Sequence, residues 1–311
     1  MKAIASLAAA LLLIVSHAAT ADDAPQREEI VYKHASDSDL KLHVYRPAVE
    51  ESDEAQARPA IVFFFGGGWA GGDPKQFFPH CEHFAKRGIV AISAEYRVHS
   101  RHRVKPAKCL EDARDAIRYV RDHADEWGVD PNRIVSSGGS AGGHLAACLG
   151  VIEEQVRAAD VTSSESNAMI LFNPALIIAN VEGEELDSLE RHSKLSDRFG
   201  GPDQMRALCP YRHVGEDEPP TLIVNGIDDP LTKFEGARAF AQKMHDNGNR
   251  CVVVGYPKQV HGFFNANRGG NTMYNATLDE ADRFLVSLGY LPPKPASPNL
   301  SDELDATRVG E

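Results

Sequence analysis

Between residues 60 and 290 the chain alternates short apolar runs with stretches whose apolar residues recur every three or four positions. Residues 60–65 (AIVFFF), 89–94 (IVAISA), 134–137 (IVSS), 168–172 (AMILF), 221–225 (TLIVN) and 251–256 (CVVVGY) form the runs. Most of them lack polar alternation, as expected of strands covered on both faces. In the intervening stretches, Leu110, Ala113, Ile117 and Val120 share one helical face. The same spacing holds for Ala237, Phe240, Ala241 and Met244, and for Leu278, Ala281, Leu285 and Leu288. The segment SAGGHLAACLGVI, from Ser140 to Ile152, is small and apolar all round, which suits a helix buried against a sheet. The alternation predicts an α/β fold: a mostly parallel, twisted sheet with helices on both faces.

Four regions depart from that pattern. Leu40, Leu42 and Val44 alternate with Lys41, His43 and Tyr45, which predicts a half-exposed edge strand in a hairpin with residues 29–34. Residues 48–58 read as a charged loop. Residues 174–219 are polar and too long for a simple loop, so a small helical cap insertion is expected. Residues 292–311 carry Pro292, Pro293, Pro295 and Pro298, then turn acidic, and are expected to form a disordered tail. At the N-terminus, Lys2, the apolar residues 3–15 and Ala19-Thr20-Ala21 have the order of a signal peptide spanning 1–21. The expected product is a secreted or periplasmic domain, residues 22–291.

The 311 residues include 42% hydrophobic and 25% charged, which is ordinary for a globular chain. A net charge of −12 gives no general attraction for nucleic acid or anionic membrane. No later stretch approaches the roughly 18 apolar residues of a membrane span. Five cysteines leave at least one without a partner inside the chain, and no C-x-x-C spacing suggests zinc. No metal or cofactor is called for, and the oligomeric state is open.

Candidate chemistry lies at the ends of the expected strands. Gly138-Gly139-Ser140-Ala141-Gly142 is a G-x-S-x-G pentapeptide entered by a strand and left by a helix. A sharp strand-to-helix turn lifts a serine oxygen above the sheet and needs small neighbours. The run lacks both the lysine of a phosphate-binding loop and the G-x-G-x-x-G order of a dinucleotide site. Phe64-Phe65-Gly66-Gly67-Gly68-Trp69 follows the first core strand, and acyl transfer needs N–H groups aimed at a developing oxyanion. Gly67, Gly68 and Ala141 are the expected donors. Asp228 and Asp229 follow the strand TLIVNG, and Asp229, just before Pro230, has the better spacing for a carboxylate that orients a histidine. His261, in HGFF after the last core strand, completes the chain order Ser140, Asp229, His261. His144 lies one turn past the serine and is read as packing or capping. The basic stretch Arg97–Arg103 is read as a solvated loop, with an anion-greeting role as the alternative.

The GGGW loop, Glu95-Tyr96-Arg97, the GGSAGG elbow, the DDPL turn and HGFF together resemble the α/β-hydrolase superfamily over residues 28–290. More narrowly they look like the bacterial carboxylesterase and lipase-like branch related to hormone-sensitive lipase and acetylxylan esterases. One departure stands out: relatives usually carry histidine before the glycines, where this chain has Phe65. The resemblance implies a serine carboxylesterase with catalytic Ser140, Asp229 and His261, acting on short acyl esters. Trp69 and Phe263 would line the pocket and could stack on a sugar ring, making a carbohydrate acetyl ester the specific expectation. It also hints at a Cys81–Cys109 disulfide. Two other readings remain: a peptidase of prolyl-oligopeptidase type, which normally carries a propeller this chain has no room for, and a non-catalytic binding protein on the same scaffold.

Overall fold

The apolar runs become the parallel centre of one sheet. The computed structural model describes residues 25–35, 38–48, 57–154, 161–181, 193–295 and 299–310. The expected signal peptide and most of the charged loop 48–58 fall outside the described residues. In chain order the elements are β1 (Arg27–Ala35), β2 (Ser38–Tyr45), β3 (Arg58–Phe64), α1 (Phe78–Lys86), β4 (Val90–Ala94), α2 (His99–His102), α3 (Pro106–Asp122), α4 (Ala124–Trp127), β5 (Val129–Gly139) and α5 (Ala141–Val151). Then follow β6 (Ala168–Phe172), α6 (Ser193–Phe199), α7 (Pro202–Ala207), α8 (Pro210–His213), β7 (Thr221–Gly226), α9 (Phe234–Asp246), β8 (Cys251–Tyr256), α10 (Thr272–Ser287), α11 (Leu300–Glu303) and β9 (Thr307–Val309).

The strand order is β1-β2-β4-β3-β5-β6-β7-β8-β9. Strands β4, β3, β5, β6, β7 and β8 are mutually parallel; β1, β2 and β9 join antiparallel at the two sides. This is the α/β-hydrolase arrangement, and it sends the C-terminal ends of six strands to one edge, where a site forms. Helices α1 and α10 lie together on one face, joined by His83 Nε2 and Asp282 Oδ2 at 3.1 Å. Helices α3, α5 and α9 cover the other. Helix α5 is buried on almost every side, which explains its apolar sequence. Within the stretch 174–219, the described part forms the short helices α6, α7 and α8. Among the described residues no helix is long and apolar enough to cross a membrane.

Several expectations need correction. Of the three β2 positions expected to face solvent, Lys41 is partly exposed, but His43 and Tyr45 are buried under Phe78 of α1, with ring centroids 5.0 and 5.8 Å apart. The Cys81–Cys109 disulfide is absent, and all five cysteines are free and buried. Cys81 sits in α1 and Cys109 in α3, so the sheet stands between them. The basic stretch is no loose loop. Arg97 forms a two-pronged pair with the buried Asp112, at 2.8 and 2.6 Å, and Arg101 Nη1 donates to Gly72 O at 2.9 Å.

The tail is ordered rather than disordered where it is described. Asn299 caps α11 by accepting the Ser301 N–H at 3.0 Å, and the Tyr256 and Ser301 hydroxyls lie 2.6 Å apart. Strand β9 then pairs with the β8 edge, and Arg308 forms a two-pronged pair with the buried Glu280. Backbone pairing on an open edge and polar bonds supply the order that a count of apolar residues cannot reveal.

Two predictions follow from these buried charges. Arg308→Ala strands the Glu280 carboxylate and should cost about 2–4 kcal/mol, read from the urea midpoint. Asp112 and Asp282 behave alike. Burial would raise each carboxyl, but hydrogen bonds from Arg97 and Lys33 on Asp112, and from His83 and Lys294 on Asp282, prevail and hold both below the ordinary value. A depressed carboxyl stabilises the fold above its unfolded value and loses that contribution as pH falls through the native one. Stability should therefore hold from neutral pH to about 4 and decline below it, which fluorescence-monitored acid titration can follow.

Candidate active site

The turn from β5 into α5 fixes Ser140 at φ 56° and ψ −117°, a region that L-residues rarely adopt. Three backbone bonds hold it there. The Ser140 N–H donates to Phe172 O at 3.0 Å, and Ser140 O accepts from the N–H of His144 at 2.9 Å and of Ala175 at 3.3 Å. Glycine is required at 142 because β3 passes too close: a Cβ there would lie 1.9 Å from Phe64 O.

The loops after β7 and β8 bring the two expected partners to this serine. His261 Nε2 lies 2.9 Å from Ser140 Oγ, and His261 Nδ1 lies 2.7 Å from Asp229 Oδ2. The carboxylate sets the tautomer: Nδ1 carries the hydrogen, so Nε2 accepts from the serine hydroxyl. Asp229 is buried, whereas Asp228 is exposed. Asp229 Oδ1 accepts the N–H of Leu231 at 2.8 Å and of Thr232 at 3.1 Å. Its Oδ2 also accepts from Asn173 Nδ2 at 2.6 Å and from the Thr232 hydroxyl at 2.7 Å. Burial pushes the Asp229 carboxyl up, but the His261 ring, the Thr232 hydroxyl and the Leu231 N–H outweigh it and keep it below its ordinary value. It is therefore ionised at neutral pH.

The glycine loop runs beside the serine. Among the described residues no protein group accepts the N–H of Gly67, Gly68 or Ala141, so all three expected donors stay available. Phe65, where the resemblance implied a histidine, stacks on Tyr96 at 4.1 Å and 16°. The Tyr96 hydroxyl donates to Phe65 O at 2.6 Å. The loop is thus braced by a ring pair and a buried hydrogen bond. From the cap, Arg198 Nη1 of α6 donates to Gly68 O at 2.8 Å.

Trp69 and Phe263 require a second correction: they present no stacking surface. Trp69 is 3% exposed, its Nε1–H donates to His144 Nδ1 at 3.2 Å, and Phe199 packs edge-on against it at 4.9 Å. Phe263 is 4% exposed and packs against Tyr256. His144 has the packing role expected of it. Its Nε2–H donates to Leu208 O at 2.7 Å, and burial pushes the ring down to about 4, so it stays neutral and bridges the loop to the cap.

Asn173, Thr232, Tyr96 and Gln76 touch the site and escaped sequence reasoning. Each is a single polar side chain at a strand end or in a turn, where no periodicity marks it. Only Tyr96 had a signal, as the middle of Glu95-Tyr96-Arg97. Glu111, Asp112 and Asp115 are, among the described residues, the carboxylates grouped closely enough for a metal ion. The Lys33 ammonium sits among them, 3.3, 2.7 and 2.5 Å away, and takes the place a cation would.

Known proteins resemble this chain in sequence and fold. The esterase Est2 of the Planctomycetes species Thermogutta terrifontis, solved with butyrate bound, is 48% identical, with a TM-score of 0.79 over 86% of this chain and 96% of that one. Carboxylesterase NlhH of Mycobacterium tuberculosis is 32% identical over 73% of this chain and 72% of its own. Esterase LipC of the same organism is 31% identical over 66% of this chain and 53% of its own. The chain spans about half the length of several of the curated relatives it matches. The BD-FAE family model matches residues 42–244, about two thirds of the sequence. The chain belongs to the BD-FAE family of hormone-sensitive-lipase-like α/β-hydrolases.

Proposed function

We propose that this protein is a serine carboxylesterase that cleaves short-chain acyl esters. The observation that carries the reading is the hydrogen-bonded line from Ser140 Oγ through His261 to the buried Asp229. His261 Nε2 takes the Ser140 proton as Oγ bonds to the acyl carbon. Asp229 holds the ring and stabilises the imidazolium. The N–H groups of Gly67, Gly68 and Ala141 face the oxyanion, and each is worth about 3–4 kcal/mol in such a site. His261 then gives its proton to the departing alkoxide. Water, deprotonated by the same nitrogen, attacks the acyl-enzyme; Ser140 recovers the proton and the acid leaves.

The reading of a short acyl group is supported by the Thermogutta esterase, which was solved with propionate and with butyrate bound. Deacetylation of carbohydrate loses its aromatic platform with Trp69 and Phe263 buried, and becomes the second substrate to try. Residues 1–21 support export of the mature domain.

With p-nitrophenyl acetate, butyrate and octanoate, hydrolysis should favour the two shorter esters. Ser140→Ala should remove at least about 10⁴-fold of kcat, and Asp229→Asn should remove about 10³–10⁴-fold with little change in fold. Turnover that survives in Ser140→Ala would overturn the mechanism. Serine-dependent turnover confined to acetylated xylan would move the substrate to carbohydrate.

A further inference from the structure

We propose that Gln76 is a positioning residue that locks the glycine loop to the loop carrying His261, so that the oxyanion donors and the base keep one spacing. The inference rests on the ester-hydrolysis reading above. Gln76 belongs to a 3-10 turn, Pro74–Phe77, just after the glycine loop. Asp73 accepts the Lys75 N–H at 2.9 Å, and the Ser93 hydroxyl donates to Pro74 O at 2.8 Å. Phe77 stacks on Phe63 at 4.9 Å and on Phe264 at 6.0 Å. The turn is therefore held by the sheet and by the HGFF segment at once.

From that base the Gln76 side chain spans two loops. Its Oε1 accepts the Gly66 N–H at 2.7 Å, and its Nε2–H donates to Asn265 Oδ1 at 2.9 Å. Asn265 Nδ2–H donates to Gly262 O at 2.7 Å, and the Asn265 N–H reaches the same carbonyl at 3.2 Å. Gly262 is the residue after His261.

Both ends of this line are backbone groups with fixed roles: Gly66 N–H can only donate and Gly262 O can only accept. Turning either side-chain amide around would set oxygen against oxygen or N–H against N–H. The line has one favourable arrangement, and its aligned dipoles strengthen one another. It also uses up the Gly66 N–H, which makes Gly66 the anchor of the loop and leaves Gly67 and Gly68 to face substrate. Gly66 is where the loop meets the serine elbow: a Cβ built there would lie 3.0 Å from Gly139 O and 3.4 Å from Ser140 Cβ. The strut thus acts where nucleophile, donors and base converge, and a misplacement of about 1 Å in such a site can cost about 10²-fold in rate.

The test uses the full chain with Gln76→Leu, Gln76→Glu, Asn265→Leu and the Gln76→Leu/Asn265→Leu double variant. Active sites are counted by stoichiometric inactivation with paraoxon, taken to completion, so that unfolded protein drops out. Then kcat per site and KM for p-nitrophenyl butyrate are measured. Gln76→Leu should lose about 10- to 100-fold in kcat with KM within about threefold. Gln76→Glu keeps an oxygen for Gly66 but no hydrogen for Asn265; it should fall between Gln76→Leu and wild type, and it answers the question if Gln76→Leu does not fold. The double variant should be no slower than the slower single variant. A kcat per site within about twofold of wild type in Gln76→Leu, or in Gln76→Glu if the leucine variant is lost, would overturn the proposal even if the melting temperature fell. Losses that multiply in the double variant would also overturn it. Absence of serine-dependent turnover in the wild-type chain would instead bring down the ester reading, and this proposal with it.

Discussion

Ser140 holds a backbone conformation that costs on the order of 1–3 kcal/mol, and it persists because three neighbouring strands leave it no alternative. Its N–H is tied to the end of β6, its carbonyl to α5 and to the residues after β6, and Gly142 lies against the end of β3. Those ties exist only if β3, β5 and β6 are adjacent and in register, which the parallel pairing provides. The same parallel order puts the loops after β7 and β8 on the serine's side of the sheet. Asp229 and His261 come from those loops, so the relay is a product of strand order as much as of residue choice.

The glycine loop shows how a scaffold keeps a mobile-looking segment in place. Its first residue, Phe65, is clamped by Tyr96 through ring stacking and a hydroxyl bond. Its last, Trp69, is clamped through His144, whose other nitrogen is taken by Leu208. Between them, Arg198 draws on the Gly68 carbonyl and leaves that residue's N–H turned to other use. An aromatic pair of the Phe65–Tyr96 kind is worth about 0.5–1.5 kcal/mol beyond burial. Ring stacking and one hydroxyl bond thus hold the loop at the position where the family resemblance implied a histidine.

Much of this was legible in the sequence, for definite reasons. A strand buried on both faces has to be apolar throughout, as AIVFFF and CVVVGY are, and a serine on a strand-to-helix turn has to be flanked by small residues. Chain order pointed to His261, and the spacing just before Pro230 favoured Asp229 over Asp228. What escaped depended on contacts between distant segments. Trp69 resembles a ligand platform until His144 and Phe199 are placed around it. His43 and Tyr45 of β2 look solvent-facing until Phe78 covers them. Asn173 and Thr232, which complete the shell of Asp229, are isolated polar residues with no repeat to reveal them.

Strand β9 has a consequence that lies outside catalysis. It covers only Val253, Val254 and Gly255, the middle of a β8 segment that is buried throughout. Without it, those residues would present unpaired N–H and C=O groups on an apolar strand, a ready template for a strand from another molecule. The opposite side of the sheet is protected differently, by the exposed charges Arg27, Glu28 and Glu29 at the start of β1. Three residues of the C-terminal segment therefore close part of an apolar edge that would otherwise be open to a strand from outside the fold.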